Sequence, residues 1–289
     1  MLVGCVNFPV SMVKYFKEFE AVEIDRTFYA IPRESTLVRW REMAPPGFTF
    51  SVKASRKLTH SGMDPSTEGG RDGLRATLWA AGVLGARYIL FQTPPSLGPS
   101  SILKIREVLE TARDAGYKVG YEARGQSWKG HEDDLRDALK GVASHVVDPF
   151  TSKELHSEGF HYFRLHGLGK RPYRYRYSDA ELLALKEIVK NVEGDTLLVF
   201  NNTNAYEDAL RFKSILAPSG RDSYQRCPEE LLERKAWPGR GERGLGFLHE
   251  FFLGEPHPFF SSENGHRVRR RRPEIGPRHD SPFGHAATH

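Results

Sequence analysis

Residues 100–124 read SSILKIREVLETARDAGYKVGYEAR and contain the pattern that decides the fold. The first part predicts a helix that Gly116 ends. A mainly apolar segment, residues 118–124, follows at once and closes on charged residues, which is typical of a strand covered by helices. The apolar stripe of the predicted helix has helical spacing and consists of Ile102, Ile105, Val108, Leu109 and Ala112.

The same helix-and-strand unit recurs along the chain. Eight strand-like segments alternate with segments of helical pattern, which predicts a parallel α/β fold. Eight such units within residues 1–217 favour a single closed (β/α)8 TIM-type barrel, and an open doubly wound sheet is the alternative. The predicted strands are residues 2–8, 21–29, 48–55, 88–93, 118–124, 145–148, 161–167 and 196–202.

The last part of the chain has a different character. After residue 217 the strand-helix rhythm stops, and residues 218–289 are rich in Gly, Pro, His and Arg, with four consecutive arginines at 269–272. This composition predicts a basic, irregular and poorly ordered tail whose histidines lack regular ligand spacing. We hypothesise that a frameshift or a fusion produced it. Barrel-like sequence in the neighbouring reading frame would support this hypothesis, and its absence would contradict it.

Composition narrows the class of protein. The net charge of +5 permits a small anionic ligand or nucleic acid as a partner without requiring one. The two cysteines, Cys5 and Cys227, are far apart, which argues against a disulfide framework or a thiolate zinc site. No apolar run approaches a membrane span, and we expect a cytoplasmic protein. No glycine-rich nucleotide-cofactor motif follows any predicted strand. The sequence leaves the oligomeric state open.

Polar side chains occur at the end of every predicted strand, where barrels of this type hold their active sites. Burying so many polar groups for stability alone would be costly, which favours a functional pocket. Individual members could instead form structural ion pairs, such as Glu122 with Arg124 or Asp148 with Arg164. The catalytic candidates are Glu122, His166 and His60, and the substrate-binding candidates are Lys53, Arg124, Arg164, Gln92, Asn201, Asn202, Tyr173 and Tyr175.

The candidates suggest several kinds of chemistry. Lysine and arginine would hold an anion, Glu122 would act as acid or base, and His60 or His166 would shuttle protons. A divalent metal is a further hypothesis, with Glu122, Asp148 and His166 as its ligands. Glu23, Asp25 and Thr27 alternate, so a strand through them would place all three on one side. The alternating tyrosines and arginines of residues 173–177 would stack bases or sugars, or would form a solvated loop packed on the rim.

Seven stretches carry a resemblance to a known family: residues 22–29, 48–54 with Thr59 and His60, 90–95, 121–124 with Ser127 and Trp128, 164–167, Tyr173 with Tyr175, and 200–203. In this order they resemble the YecE-like proteins, a domain of unknown function numbered seventy-two. The resemblance covers residues 2–216 and implies a TIM-type barrel, broadly similar to the xylose isomerase and endonuclease IV group, without an established activity. The family often has Asn where this chain has Asp25, and the region after residue 216 does not resemble it.

Two functions remain open. The first is an enzyme, a hydrolase or an isomerase, acting on a phosphorylated, sugar-like or nucleic-acid substrate at the carboxyl ends of the strands. The second is a non-catalytic protein that binds nucleic acid or a nucleotide, as the basic balance and the Tyr-Arg alternation would allow.

Overall fold

The computed structural model describes residues 1–169, 171 and 173–217, and the predicted tail over residues 218–289 lies outside this part of the chain. Eight parallel strands form one sheet in the order β6-β5-β4-β3-β2-β1-β8-β7. Strands that follow one another in the chain pair in parallel, except β6 and β7, and β1 also pairs with β8, as expected for a barrel. The strands are β1 (Leu2–Val6), β2 (Ala21–Ile24), β3 (Thr49–Lys53), β4 (Tyr88–Thr93), β5 (Lys118–Ala123), β6 (Ser144–His145), β7 (Phe160–Leu165) and β8 (Asp195–Phe200).

Helices follow every strand except β6, after which residues 146–159 lead to β7 without a helix. A short 3-10 turn, Pro99–Ser101, precedes α6. No helix of the described residues is both long and apolar enough to cross a membrane. Those helices are α1 (Met12–Glu18), α2 (Arg26–Tyr29), α3 (Glu34–Met43), α4 (Arg56–Thr59), α5 (Glu68–Leu84), α6 (Ile102–Asp114), α7 (Glu132–Leu139), α8 (Asp179–Lys190) and α9 (Ala205–Leu216).

The barrel closes between β6 and β7 through a single bridge. Strand β6 has only two residues, fewer than the predicted 145–148. Beyond it, Val147 makes one parallel bridge with Phe163, and the Arg164 amide donates to the Val147 carbonyl at 2.9 Å. The predicted eight-stranded barrel is therefore confirmed and is nearly closed, with one weakly paired seam.

Two apolar clusters stabilise the fold. The larger one lies between the sheet and the helices and includes Ile105, Val108, Leu109 and Ala112 of the predicted stripe of α6. The smaller one fills the barrel interior with side chains that alternate along the strands. Its buried members are Ala21, Tyr88, Leu90, Val146, Phe160, Tyr162, Leu197 and Val199.

The prediction of one strand over residues 21–29 is wrong, because β2 ends at Ile24 and residues 26–29 form α2. Two groups explain the turn. The side-chain oxygen of Asn7 accepts from the amides of Asp25 and Arg26 at 3.1 and 3.3 Å, and the Thr27 hydroxyl donates to the carbonyls of Ile24 and Lys53 at 2.8 and 2.7 Å. These bonds hold the backbone in a helical turn, so Glu23, Asp25 and Thr27 do not alternate along one strand.

Candidate functional site

The centre of the site is Arg164, whose side chain is fully buried at the carboxyl end of β7. Its Nε and Nη2 donate to the two oxygens of Glu23 at 2.9 and 2.7 Å, a bidentate pair. The Tyr162 hydroxyl donates to Glu23 Oε2 at 2.6 Å and lies 2.9 Å from the Ser51 hydroxyl. This buried network joins β2, β3 and β7 across the barrel interior.

Glu122 of β5 connects Arg164 to a second arginine. Arg164 Nη1 donates to Glu122 Oε2 at 2.5 Å, and Arg124 Nε lies 2.6 Å from Glu122 Oε1. The predicted pair of Glu122 with Arg124 is therefore confirmed. The suggested pair of Asp148 with Arg164 is wrong, because Glu23 and Glu122 occupy that guanidinium.

The Glu122 carboxylate is ionised at neutral pH. Burial opposes its ionisation, but the charges of Arg164 and Arg124 outweigh burial and lower the pKa from 4.5 to about 2. A carboxyl group with this pKa has no proton to donate at neutral pH. The arrangement therefore supports a role in positioning two guanidinium groups rather than a role as a general acid.

His166 follows β7 and lies beside Arg124. Arg124 Nη2 is 2.6 Å from His166 Nε2, and since a guanidinium only donates, Nε2 must accept with its lone pair. Burial lowers the pKa of His166, which keeps the ring neutral. Its Nδ1 faces Asp148 Oδ2 at 3.7 Å, so the remaining ring proton points toward a carboxylate. His166 is thus a neutral imidazole in a fixed orientation.

Asp148 organises the loop after β6. Its Oδ1 accepts from the Phe150 amide at 3.1 Å, and its Oδ2 accepts from the His166 amide at 2.9 Å. The three predicted metal ligands, Glu122, Asp148 and His166, are therefore neighbours, but their donor atoms face guanidinium groups and backbone amides. In the described part of the chain, no three His, Cys, Asp or Glu side chains are grouped as a metal site would require. These residues do not fit a divalent metal.

Three other predicted residues lie at the same end of the barrel. Lys53 is buried, with its Nζ 2.7 Å from Asp25 Oδ1 and 4.1 Å from the centre of the Phe28 ring. Gln92 is the register partner of Glu122 and continues the inward face of β4 beyond Leu90. Asn201 continues the inward face of β8 beyond Val199, and its amide donates to the Leu165 carbonyl at 2.8 Å.

The structure does not bring three predicted residues to this centre. His60 is exposed after α4, where it lies 3.0 Å from the Thr59 hydroxyl and packs edge-on against Phe28. The Asn202 amide donates to the Tyr175 carbonyl and to Asp208, at 2.8 and 2.7 Å. The Tyr175 hydroxyl donates to Glu181 at 2.5 Å. Asn202 and Tyr175 therefore anchor the loop that precedes α8, which is a structural role.

Tyr173 lies beside His166 in the loop after β7. The backbone of Tyr173 is left-handed, with φ of 50°, and the residue is 47% exposed. The ring is perpendicular to the His166 ring at a centroid distance of 5.4 Å. Its backbone accepts from the Thr203 amide at 2.7 Å, which fixes the loop at this point. The neighbouring residues Arg171, Arg174 and Arg176 are exposed.

Two members of the network, Tyr162 and Ser51, were not among the predicted site residues. Each precedes a predicted site residue on the same strand by two positions: Tyr162 precedes Arg164, and Ser51 precedes Lys53. The two-residue repeat of a strand could have identified them. Ser51 lies between Phe50 and Val52, and Tyr162 lies between His161 and Phe163, so neither residue belongs to a polar cluster in the sequence.

Comparison with known proteins identifies the family. The model described as "Protein of unknown function DUF72" matches residues 10–231. The chain belongs to the DUF72 family. The match extends past residue 217, where we predicted the barrel to end. No curated protein matches the sequence.

Several solved structures share the fold of this chain. A DUF72 family protein from Enterococcus faecalis has 22% identity and a TM-score of 0.61, with 75% of this chain and 98% of that chain covered. A xylose isomerase domain-containing protein from Salmonella typhimurium has 13% identity and a TM-score of 0.53, covering 74% and 94%. A D-tagatose 3-epimerase-like protein has 16% identity and a TM-score of 0.52, covering 75% and 96%. At these identities the likeness shows the fold alone.

Proposed function

We propose that this DUF72 protein is an enzyme, a hydrolase or an isomerase, that acts on a phosphorylated, sugar-like substrate at the carboxyl ends of its strands. One observation carries the proposal. Arg124 is 28% exposed and is held from below by Glu122 and His166. Its Nη1 has no hydrogen-bond partner among the described residues, so one edge of a pre-oriented guanidinium is left for a ligand.

Recognition would combine charge with stacking. The planar guanidinium of Arg124 suits the oxygens of a phosphate, and the exposed ring of Tyr173 beside His166 suits the face of a sugar or base. The carboxylates of Glu23 and Glu122 are buried and paired with Arg164, so their negative charge is neutralised below the mouth and a phosphate would meet the partly exposed Arg124. The exposed arginines 171, 174 and 176 add positive charge at the same rim.

His166 is our candidate for proton transfer. Its Nε2 lone pair accepts a hydrogen bond from Arg124. A phosphate that draws the Arg124 guanidinium toward itself would free this lone pair to accept a proton from a substrate hydroxyl or from water. The imidazolium that forms would be stabilised by Glu122 Oε1, which lies 3.8 Å from Nε2. His60, which is exposed and packed against Phe28, has no part in this proposal.

A thermal-shift screen tests recognition first. The probes are ribose 5-phosphate, adenosine monophosphate, inorganic phosphate and unphosphorylated ribose. We expect the phosphorylated probes to raise the melting temperature of wild type and of the control R113M, whose arginine lies at the end of α6. R124M should lose the shift. A shift of equal size in R124M and R113M would contradict the proposal.

Turnover of a binding probe then separates an enzyme from a binder. We expect H166Q to retain binding, because glutamine can still accept from Arg124, but to lose the proton-transfer step. Phosphate release or interconversion of sugar isomers gives the readout. Wild-type turnover that H166Q leaves unchanged would exclude His166 as the proton acceptor.

A second candidate function is the binding of nucleic acid without catalysis. The observation that favours it is the exposed run of Arg171, Tyr173, Arg174 and Arg176 on one loop. Affinity for a short single-stranded oligonucleotide should then fall steeply with salt, and Y173A with R174Q/R176Q should weaken it. Oligonucleotide binding that is independent of salt, or that survives these substitutions, would contradict this function.

A further inference from the structure

We infer that the protein has a second ligand site, outside the barrel mouth, for a small anion with an aromatic body. A cavity of about 460 Å³ lies between the segment after β1 and the helices α2 and α3. This volume is in the range of small-molecule sites. None of Glu122, Arg124, Arg164 or His166 lines it, so it is separate from the site described above.

The walls of this cavity are mainly apolar. Phe8, Met12, Trp40 and Met43 line it. Phe8 packs edge-on against Trp40 at a centroid distance of 5.9 Å, which fixes two aromatic surfaces in the wall. The thioethers of the two methionines are polarizable and adapt to the shape of a bound ring. These walls suit a flat apolar body.

The rim of the cavity is cationic. Arg26 and Arg39 both line it and are both exposed. Within the part of the chain that the structure describes, neither guanidinium forms an ion pair with a carboxylate. No acidic side chain is among the lining residues. A cavity with two arginines and no carboxylate favours an anion and disfavours a cation.

The local backbone places Arg26 at this rim. Asn7 has a left-handed backbone, with φ of 55°, and its side-chain oxygen accepts from the Arg26 amide at 3.3 Å. The neighbouring carboxylate of Asp25 pairs with Lys53, at 2.7 Å, on the barrel side. Asp25 is therefore not available to neutralise Arg26. The two sides of the turn divide the charges, with the ion pair toward the barrel and Arg26 toward the cavity.

These features together define the class of ligand. A carboxylate or a phosphate would bind to the guanidinium groups at the rim, and an aromatic ring would contact Phe8 and Trp40 inside. A neutral aromatic compound would gain only the apolar contacts. A bare inorganic anion would gain only the ionic ones. The site therefore requires both parts in one molecule.

Isothermal titration with three probes tests this inference: 1-naphthoate, 1-naphthalenemethanol and inorganic phosphate. We expect wild type to bind naphthoate at least about tenfold more tightly than the alcohol, and phosphate alone more weakly than naphthoate. R26Q/R39Q should remove the preference for naphthoate while its affinity for the alcohol stays unchanged. The matched control R71Q/K140Q removes the same charge from two exposed residues and should keep the preference.

A blocking variant tests the location. Ser11 is exposed, lines the cavity and makes no capping hydrogen bond to α1, so S11F should fill the cavity without unfolding the protein. We expect S11F to weaken both aromatic probes and R124M to affect neither. Equal binding of naphthoate and its alcohol to wild type would overturn the inference. So would an R26Q/R39Q variant that behaves as the control does, or naphthoate binding that S11F leaves intact.

Discussion

At the scale of single residues, Arg164 is the centre of the buried polar network in this barrel. It is a fully buried cation that bonds two carboxylates, Glu23 and Glu122. The attraction between these opposite charges offsets the free-energy cost of removing them from water only while all three side chains are present. From the sequence alone, the two-residue alternation of side chains along the predicted strand indicated that Arg164 and His166 lie at its end. The partners of Arg164 could not be predicted, because they depend on which side chains the barrel brings across its interior.

Removing the Arg164 charge should destabilise the protein strongly. R164M would leave Glu23 and Glu122 buried without a cation, and breaking such a pair costs about 3–5 kcal/mol. We expect this loss in the free energy of unfolding measured with urea. The triple variant E23Q/E122Q/R164M, which removes all three charges, should recover a large part of it. An R164M variant within about 1 kcal/mol of wild type would contradict the structural role given to Arg164.

The pH dependence of stability should report Glu122. Its pKa is lowered from 4.5 to about 2 in the folded protein, so its ionised form stabilises the fold above pH 4.5. This contribution should be lost as the pH falls from about 4.5 to about 2. We expect the difference in unfolding free energy between wild type and E122Q to shrink over this window. A difference that is constant from pH 6 to pH 2.5 would show that the carboxyl group does not titrate as described.

At the scale of elements, the order of strands and helices followed from the sequence, but some boundaries did not. Strand β4 begins and ends at the predicted residues. Strand β2 stops five residues early because Asn7 and Thr27 bond to the backbone and turn it into α2. Hydrophobic pattern predicts which face is buried. It carries no information about the hydrogen bonds that side chains of other segments make to the backbone where a strand ends.

The close contact between β1 and β2 gives a prediction at this scale. A Cβ at Gly4 would lie 2.3 Å from the Ala21 carbonyl oxygen, which belongs to the backbone and cannot move aside alone. G4A should therefore destabilise the protein by about 1–3 kcal/mol. The matched control is G69A in α5, where a Cβ meets nothing within 4 Å. The control should be neutral or stabilising by up to about 1 kcal/mol.

Equilibrium unfolding in urea, followed by circular dichroism, compares the two variants. A G4A protein as stable as G69A would mean that β1 and β2 are farther apart than the structure shows.

At the scale of the whole molecule, the sequence predicted the barrel and the end that carries the polar residues. Eight of the predicted residues lie at that end: Lys53, Gln92, Glu122, Arg124, Arg164, His166, Tyr173 and Asn201. His60, Asn202 and Tyr175 differ because their positions after α4 and in the loops direct them to local partners. Strand periodicity gives no information about loops, and the contacts of loop residues could therefore be identified only from the structure.

The central claim is that the mouth of this barrel recognises a phosphate through Arg124 beside Tyr173 and His166. The most direct test is a crystal structure of the full chain soaked with ribose 5-phosphate at a saturating concentration. The account predicts the phosphate within hydrogen-bond distance of the Arg124 guanidinium, with the sugar against the Tyr173 ring. An empty mouth, or a phosphate bound at Arg26 and Arg39 instead, would contradict it.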